Sequence, residues 1–150
     1  MSALPDRLVL PASLRESIER RARVAHPREG CGLLLGTEGD TPEAAQVHRV
    51  VHARNLDSRL GRFELDPGRV VAATHRAALL GLRILGLWHS HPDCAARPSR
   101  ADLERLWPGW LSLILATRNA RAHELRCFSI RDGALFELDL LEAEPDPDHP

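Results

Sequence analysis

Two histidines separated by one residue, His89 and His91, are the first feature of this sequence that could do chemistry. On an extended strand residues i and i+2 point to the same face, whereas on a helix they lie about 200° apart. The apolar run of residues 84–88 predicts a buried strand, and Pro92 ends it because proline cannot donate to a β-ladder. The two imidazoles are therefore expected to converge on one face.

A serine and an aspartate follow after a loop of seven residues, 92–98. Ser99 and Asp102 have the S-x-x-D spacing of a helix N-terminus, which predicts a short helix from Ser99 to about Leu106. One interpretation is purely structural: the pair caps the helix, and the histidines are exposed strand residues. In the other, the loop brings two imidazoles and a carboxylate together. Three N/O ligands with an open fourth position are typical of catalytic zinc.

The cysteines are weaker candidates for chemistry. Cys31, Cys94 and Cys127 are too few and too scattered for a disulfide framework, so reduced thiols are expected. Cys94, three residues after His91, is an alternative third ligand, although thiolate-rich ligand sets favour structural sites. Cys31 is an alternative nucleophile, but a small buried core residue beside a glycine is the simpler interpretation.

Other histidines and the tryptophans are expected to pack rather than to react. His48 and His52 share a predicted strand face but have no nearby carboxylate, so a half-exposed pair is expected. Trp88, Trp107 and Trp110 flank the histidine motif and are expected in the core or in a pocket wall.

The elements that must position these side chains follow from hydrophobic period and turn residues. Helices are predicted over residues 11–25, with a capping box at Ser13 and Glu16, and from Asp66-Pro67 onward, with an apolar stripe of Val70, Val71, Thr74, Ala78 and Leu82. Strands are predicted over residues 7–11, 44–55 and 111–116, after Gly30, and as a hairpin of 124–130 with 134–140 turned at Asp132-Gly133. The segment from Arg54 to Phe63 is predicted to be an exposed loop. This order indicates a mixed α/β or α+β sandwich around one sheet.

Composition limits the class of protein. A chain of 150 residues and 16.7 kDa predicts one domain; we assign it residues 1–141, followed by an acidic, proline-rich tail over 142–150. The net charge of -1 and pI near 6.7 argue against a nucleic-acid partner. No apolar run approaches the roughly 18 residues of a membrane span, and the N-terminus lacks a signal-peptide pattern. A cytoplasmic protein without a membrane partner is expected.

Taken together, these motifs resemble the JAMM (MPN+) zinc metallopeptidases. The resemblance covers nearly the whole chain and is carried by His89-Ser90-His91-Pro92, the seven-residue spacing, Ser99-Arg100-Ala101-Asp102, and Glu29 before Gly30-Cys31-Gly32-Leu33-Leu34-Leu35-Gly36. The segment Trp107-Pro108-Gly109-Trp110 is similar to the compact bacterial branch. Members of that branch hydrolyse bonds at the C-terminal Gly-Gly of ubiquitin-fold sulfur carrier proteins.

The resemblance implies a cytidine-deaminase-like JAMM/MPN fold, with a mixed central sheet flanked by helices. It implies that His89, His91 and Asp102 bind one Zn²⁺, that Glu29 is the general acid/base and that Ser99 helps to hold the oxyanion. The implied partner is a ubiquitin-fold sulfur carrier ending in Gly-Gly, from which cysteine or a short peptide is released. The loop from Arg54 to Phe63 is then a candidate wall of the substrate groove, and a homodimer is among the expected assemblies.

Two other functions are compatible with parts of the sequence. A non-catalytic scaffold of the same fold typically lacks one or more of the metal ligands, whereas this chain retains all of them. A metal phosphoesterase or amidohydrolase site also begins with H-x-H, but the barrel type typically needs about 250 residues. HExxH, P-loop and paired CxxC motifs are absent from the sequence. The hydrolase is therefore the favoured function.

Overall fold

The computed structural model describes residues 4–39, 41 and 43–142 of the chain. Its elements, in chain order, are β1 (Arg7–Val9), α1 (Ala12–Ala25), β2 (Cys31–Glu38), β3 (Ala44–Ala53), α2 (Pro67–Leu79), β4 (Arg83–Pro92), α3 (Arg100–Arg105), β5 (Leu111–Arg118), β6 (Arg121–Arg131) and β7 (Ala134–Leu141). The predicted tail lies outside the described residues from residue 143 onward, and the domain bounds stay a prediction.

One mixed sheet contains all seven strands and closes into a barrel in the order β1-β3-β2-β4-β5-β6-β7. β2 is antiparallel to β3 and to β4, whereas β4 and β5 are parallel. β1 closes the barrel, since it pairs in parallel with residues 44–46 of β3 and with residues 139–141 of β7. The predicted α+β class and mixed sheet are confirmed; closure through a strand of three residues adds to them.

The central strands are buried on both faces, and each face packs against a different helix. Leu34 faces the cluster that contains Ile18 of α1, whereas its neighbours Leu33 and Leu35 face the cluster that contains Ala73 of α2. Successive residues of a strand point to opposite faces, so the run of three leucines is shared between two hydrophobic clusters. β2 and β4 are thereby packed between the two helices.

Gly32 allows the indole of Trp88 to lie against β2, directly before the histidine motif. A Cβ atom at Gly32 would stand 2.4 Å from the Trp88 Nε1 atom and 1.9 Å from the Val51 carbonyl oxygen. Only glycine fits in such a gap, because a side chain would have to displace backbone. The fully buried Trp88 thus fixes the strand that carries His89.

The beginning of α1 differs from the sequence expectation. α1 starts at Ala12, with Pro11 as the N-cap residue and no side-chain capping hydrogen bond. The capping box predicted at Ser13 and Glu16 is therefore wrong. The physical reason is that the N-cap is two residues earlier, at Pro11, so Ser13 lies inside the first turn instead of at the cap.

The buried face of α2 also differs from the prediction. Ala73 and Ala77 are buried, Val70 and Leu82 pack at the edge of their cluster, and the remaining predicted stripe residues, Val71, Thr74 and Ala78, are exposed. The prediction is wrong for those three residues. The surface of β2 and β4 beneath the helix is already filled by leucines, so the small alanines make the contact.

Other predicted elements agree with the structure. β4 extends through both histidines and ends at Pro92, and Asp132 and Gly133 form the β6–β7 turn with φ values of 49° and 77°. Two positive φ values are typical of a type I′ hairpin. None of the helices within residues 4–39, 41 and 43–142 is long and apolar enough to cross a membrane.

Candidate metal centre

Four polar side chains meet at the end of β4. The Nε2 atoms of His89 and His91 lie 3.1 Å apart. The Asp102 Oδ2 atom lies 3.2 Å from the first imidazole nitrogen and 3.1 Å from the second. Glu29 Oε1 lies 3.5 Å from His91 Nε2, and ligand atoms of all four residues fall within 4.8 Å of one another. The four side chains singled out in the sequence are brought into one small volume.

The β2–β4 pairing places Glu29 beside the histidines. Cys31 is opposite His89 in the antiparallel register, and Glu29 is two residues before Cys31. Ser90, between the two histidines, accepts a hydrogen bond from Gly30 N at 2.8 Å, and Ser90 N donates to Gly30 O at 2.9 Å. This buried serine was not among the predicted site residues, although its position on the opposite face of an H-x-H strand was a usable signal.

α3 contributes Asp102, which forms the predicted helix cap with Ser99 and also joins the cluster; the exposed histidines of the purely structural interpretation are wrong, since His89 and His91 are buried. Ser99 Oγ accepts from Asp102 N at 3.1 Å, and Ser99 N donates to Asp102 Oδ2 at 2.8 Å, which completes a capping box. The same Oδ2 atom contacts both imidazoles. The helix start therefore fixes the carboxylate within the cluster.

The four residues are nearly inaccessible to solvent. Their exposed fractions are 0% for His89, 2% for Glu29, 5% for His91 and 9% for Asp102. Burial raises the pKa of Glu29 to about 7, an effect that His91 opposes. Burial likewise lowers the pKa of His89 below its ordinary value. Burying ionisable groups this completely is costly and is characteristic of functional sites.

At Asp102 and His91, hydrogen bonds shift the pKa in the direction opposite to the effect of burial. Burial alone would raise the pKa of Asp102, but its hydrogen-bond contacts with the imidazoles of His89 and His91 hold it well below its usual range. Burial alone would lower the pKa of His91, but its bonds to Asp102 and to the Ala95 carbonyl raise it. Asp102 is thus an ionised carboxylate at neutral pH.

Two neighbours orient the imidazoles. His91 Nδ1 lies 2.8 Å from the Ala95 carbonyl oxygen, and a neutral ring that donates there carries its lone pair on Nε2. The ring of Phe63 stacks on that of His89, with centroids 4.4 Å apart and planes inclined by 21°. Both Nε2 atoms are therefore presented to the same point.

The spacing of these atoms fits a metal ion. Ligands at about 2.0–2.1 Å from tetrahedral zinc are separated from each other by about 3.3 Å. The three separations among the two Nε2 atoms and Asp102 Oδ2 are 3.1, 3.1 and 3.2 Å. Glu29 Oε2 has no hydrogen-bond partner in the described part of the chain. The cluster could hold a metal ion with Glu29 beside it.

An apolar cavity of about 750 Å³ opens next to Asp102. Its walls include Leu65, Val70, Leu106, Trp107 and Trp110. The two indoles pack with centroids 5.0 Å apart, which confirms them as pocket wall, whereas Trp88 lies in the core.

The segment from Arg54 to Phe63 meets this cavity through Phe63. It was predicted to be exposed throughout, and this is wrong for Asn55, Asp57 and Phe63, which are buried. The Asn55 side chain and the Arg28 guanidinium bind the backbone of the segment and hold it against the molecule.

The cysteines lie outside the cluster. Cys94 is exposed, and the groups that could hold a metal among the described residues consist of imidazoles and carboxylates. Cys31 is buried, its thiol lies 3.7 Å from the Ala53 carbonyl oxygen, and burial raises its pKa to about 12. A thiol that stays protonated is a poor nucleophile, so the core interpretation of Cys31 is the better one.

His48 and His52 are separated in environment. A register shift leaves His48 without a partner in the β2–β3 pairing, and its Nε2 atom lies 3.0 Å from Thr37 Oγ1 at the surface. His52 Nε2 lies 2.8 Å from Ser17 Oγ, and its ring meets Trp88 edge-on. Each histidine has a hydroxyl partner and no carboxylate contact among the described residues.

The chain is similar in sequence to one protein family and to named proteins of bacteria and archaea. Residues 11–131 match the family of prokaryotic homologs of the JAB domain. The chain is 33% identical over 132 residues to the CysO-cysteine peptidase of Mycobacterium tuberculosis, with 87% of each chain covered. It is 35% identical over 114 residues to the desampylase of Haloferax volcanii, covering 73% of this chain and 80% of that protein.

A solved structure also matches over nearly the whole chain. The solution structure of a protein from Desulfitobacterium hafniense has a TM-score of 0.83 and 29% identity, covering 95% of this chain and 97% of that chain. The family match spans all four residues of the cluster, from Glu29 to Asp102.

Proposed function

Because this chain belongs to the JAB-domain family of prokaryotes, we propose that it uses one Zn²⁺ to hydrolyse the amide bond after the C-terminal Gly-Gly of a ubiquitin-fold sulfur carrier protein. The broader function follows from its relatives: it is a JAMM-type hydrolase of ubiquitin-like proteins. The observation that carries the proposal is the buried cluster of two imidazoles, one ionised carboxylate and Glu29. The relative named CysO-cysteine peptidase supports cysteine as the leaving amine.

His89, His91 and Asp102 would hold the Zn²⁺ in this proposal. When bound, the ion supplies Lewis-acid polarisation of the scissile carbonyl and lowers the pKa of water. Two imidazoles and one carboxylate are a donor set that zinc accepts, and their separations suit a tetrahedral site.

Glu29 is the proposed general acid/base. Its carboxylate removes the proton of the attacking water and then delivers that proton to the nitrogen of the leaving amine. Its position supports this role, since Glu29 Oε1 lies 3.5 Å from His91 Nε2 while Oε2 has no partner among the described residues. Burial, which raises its pKa to about 7, suits a group that both takes up and releases a proton near neutral pH.

Ser99 is the proposed hydrogen-bond donor to the oxyanion. Its hydroxyl oxygen accepts from Asp102 N, so the hydroxyl proton is free to be donated elsewhere. The residue is exposed, although its neighbour in the capping box, Asp102, is buried. The hydroxyl is therefore accessible to a bound substrate.

The substrate tail is proposed to run between the segment from Arg54 to Phe63 and α3. Phe63 and the cavity beside Asp102 form an apolar surface there. Two glycines at the end of the tail suit such a site, because side chains next to the scissile bond would prevent its carbonyl group from approaching the proposed metal position. Action in the cytoplasm and assembly into a homodimer stay predictions.

The proposal is tested with a ubiquitin-fold carrier that bears cysteine in amide linkage to its C-terminal Gly-Gly. After treatment with the zinc-loaded protein, the mass of the carrier is expected to fall by that of one cysteine residue. The same carrier with valine in place of its penultimate glycine is expected to resist cleavage. The Glu29→Gln variant, matched in size and zinc content, is the control. Unchanged adduct mass with the zinc-loaded parent protein would overturn the proposal.

A further inference from the structure

Asn55 is a buried amide outside the metal cluster, and its side chain uses its whole hydrogen-bonding capacity. It lies just after β3 and is 9% exposed. Its Nδ2 group donates to the carbonyl oxygens of Glu29 at 3.1 Å and Arg62 at 2.9 Å. Its Oδ1 atom accepts from the backbone N–H groups of Asp57 at 2.9 Å and Glu64 at 3.1 Å. A carboxamide offers two donor hydrogens and an oxygen with two lone pairs, so all four positions are filled.

These four bonds connect the backbone of Glu29 with the backbone around Phe63. Asp57 and Arg62 belong to the segment that ends with Phe63, and Glu64 follows it directly; the ring of Phe63 stacks on His89. The remaining bond holds the backbone of Glu29. The Asn55 side chain is thus bonded to the backbone of Glu29 and to the backbone on both sides of Phe63.

Few other contacts fix this segment. It contributes no strand, and Leu56 N to Glu64 O, at 3.0 Å, is its one backbone hydrogen bond outside regular elements among the described residues. Arg28 adds a bond to Asn55 O at 3.0 Å and contacts Asp57 O, and Arg105 donates to Phe63 O at 2.8 Å. The Asn55 side chain binds the backbone of this segment at Asp57 and Arg62, binds the backbone of the next residue, Glu64, and also reaches Glu29.

We propose that Asn55 is a positioning residue for hydrolysis: its carboxamide sets the placement of Glu29 relative to the imidazole of His89. The inference rests on the proposed function. A misplacement of about 1 Å at a reacting group can cost about 100-fold in rate. The Asn55 side chain itself touches no metal ligand atom in the described residues, so its loss is expected to act on turnover and not on metal retention.

Two variants separate the bonds. Asn55→Asp keeps the size and the acceptor for Asp57 and Glu64 but loses the donors to Glu29 and Arg62, whereas Asn55→Ala loses all four bonds. Asn119→Asp makes the same chemical change in an exposed turn and is the matched control. Zinc content, kcat and KM on the Gly-Gly adduct, and amide hydrogen exchange are measured for each.

For Asn55→Asp we expect one equivalent of zinc, a KM within about threefold of the parent and a kcat lowered by about 10- to 100-fold. Amide exchange at Asp57 and Glu64 is expected to stay slow in Asn55→Asp and to become faster in Asn55→Ala, with β5 unchanged in both. Asn119→Asp is expected to match the parent in every measurement.

A kcat within about twofold of the parent for both Asn55 variants would overturn the inference while leaving the proposed function intact. Loss of zinc together with activity, or faster exchange throughout the sheet in both variants, would make Asn55 a general stabilising residue and would also overturn it. A zinc-loaded parent that cleaves no adduct would overturn the proposed function, and this inference with it.

Discussion

Two histidine-containing regions flank β2, and they have opposite electrostatic character. On the β4 side, His89 and His91 meet two buried carboxylates. On the β3 side, His52 contacts the hydroxyl of Ser17. Burial lowers the pKa of His52, and the positive charges of Arg21, Arg20 and Arg69 lower it further. Arg69 also donates to the His52 carbonyl oxygen, at 3.2 Å from Nε and 2.9 Å from its terminal nitrogen.

The difference shows that anionic partners, and not histidines alone, make a candidate metal site. His89 directly follows the buried Trp88 on β4, and the ring of His52 meets the Trp88 indole edge-on. Within the described residues, the Nδ1 atoms of both histidines lack a hydrogen-bond partner. A cation is stabilised beside Asp102 and Glu29 but repelled by guanidinium groups around His52. The spacing of histidines in a sequence therefore indicates a metal site only when another element places a carboxylate beside them.

Zinc content in variants of both histidine regions tests the role of the carboxylates most directly. His91→Ala and Asp102→Asn are expected to fall from about one zinc per chain to below about one tenth, with hydrolysis lost, because two remaining ligands hold zinc poorly. His52→Ala is the matched histidine variant and is expected to keep its zinc. Elemental analysis of the dialysed proteins decides, and a full complement in His91→Ala or Asp102→Asn would refute the ligand assignment.

Glu29→Gln tests the two carboxylates against each other. This variant is expected to keep fold and zinc, unlike Asp102→Asn, while kcat falls by about 10²–10⁴-fold because no group is left to move the proton. Glu16→Gln, on the exposed side of α1, is the control for loss of one acidic charge. Turnover of Glu29→Gln equal to that of the parent would remove Glu29 from the mechanism.

The two serines beside the histidine regions give a smaller, paired test. Ser99→Ala is expected to lower kcat by about 10²–10³-fold through loss of the oxyanion donor, and to cost about 1 kcal/mol through loss of the helix cap. Ser17→Ala removes the His52 partner and is expected to cost about 1 kcal/mol of stability without changing kcat. Equal turnover in the two variants would contradict the role of Ser99; urea unfolding supplies the stability values.

The smallest expected effect is a pH dependence from His52. Its folded pKa lies below the ordinary value of 6.5, so the unfolded chain binds a proton that the folded chain does not. The free energy of unfolding therefore falls as pH drops below about 6.5. His52→Gln is expected to lose less stability than the parent between about pH 7 and pH 5. Parallel pH profiles of unfolding by urea for the two proteins would contradict this.

Much of the site was predictable because its residues are close in sequence or belong to strong local patterns. The H-x-H spacing needs only a strand, and the apolar run before His89 predicts one. The S-x-x-D spacing needs only a helix start, which α3 provides. Glu29 was different, since its contact with His91 depends on the β2–β4 register and was expected only from the family resemblance.

The features that escaped prediction depend on long-range contacts. Asn55 sits in a segment with loop-like composition, and its burial follows from hydrogen bonds to residues on three stretches of chain. The α2 face was misjudged because period alone favours valine over alanine, whereas the filled sheet surface favours alanine. Barrel closure by β1 rests on three residues that pair on both sides, which no local pattern reveals.

Cys94 is the one cysteine of the three whose thiol is accessible to labelling reagents. It is exposed, whereas burial raises the pKa of the Cys31 thiol to about 12 and that of the Cys127 thiol well above its ordinary value, which keeps both unreactive. A maleimide fluorophore or nitroxide would therefore attach to the native chain at one place, three residues from His91. Carrier arrival at the cavity could then be followed spectroscopically without engineering a new cysteine.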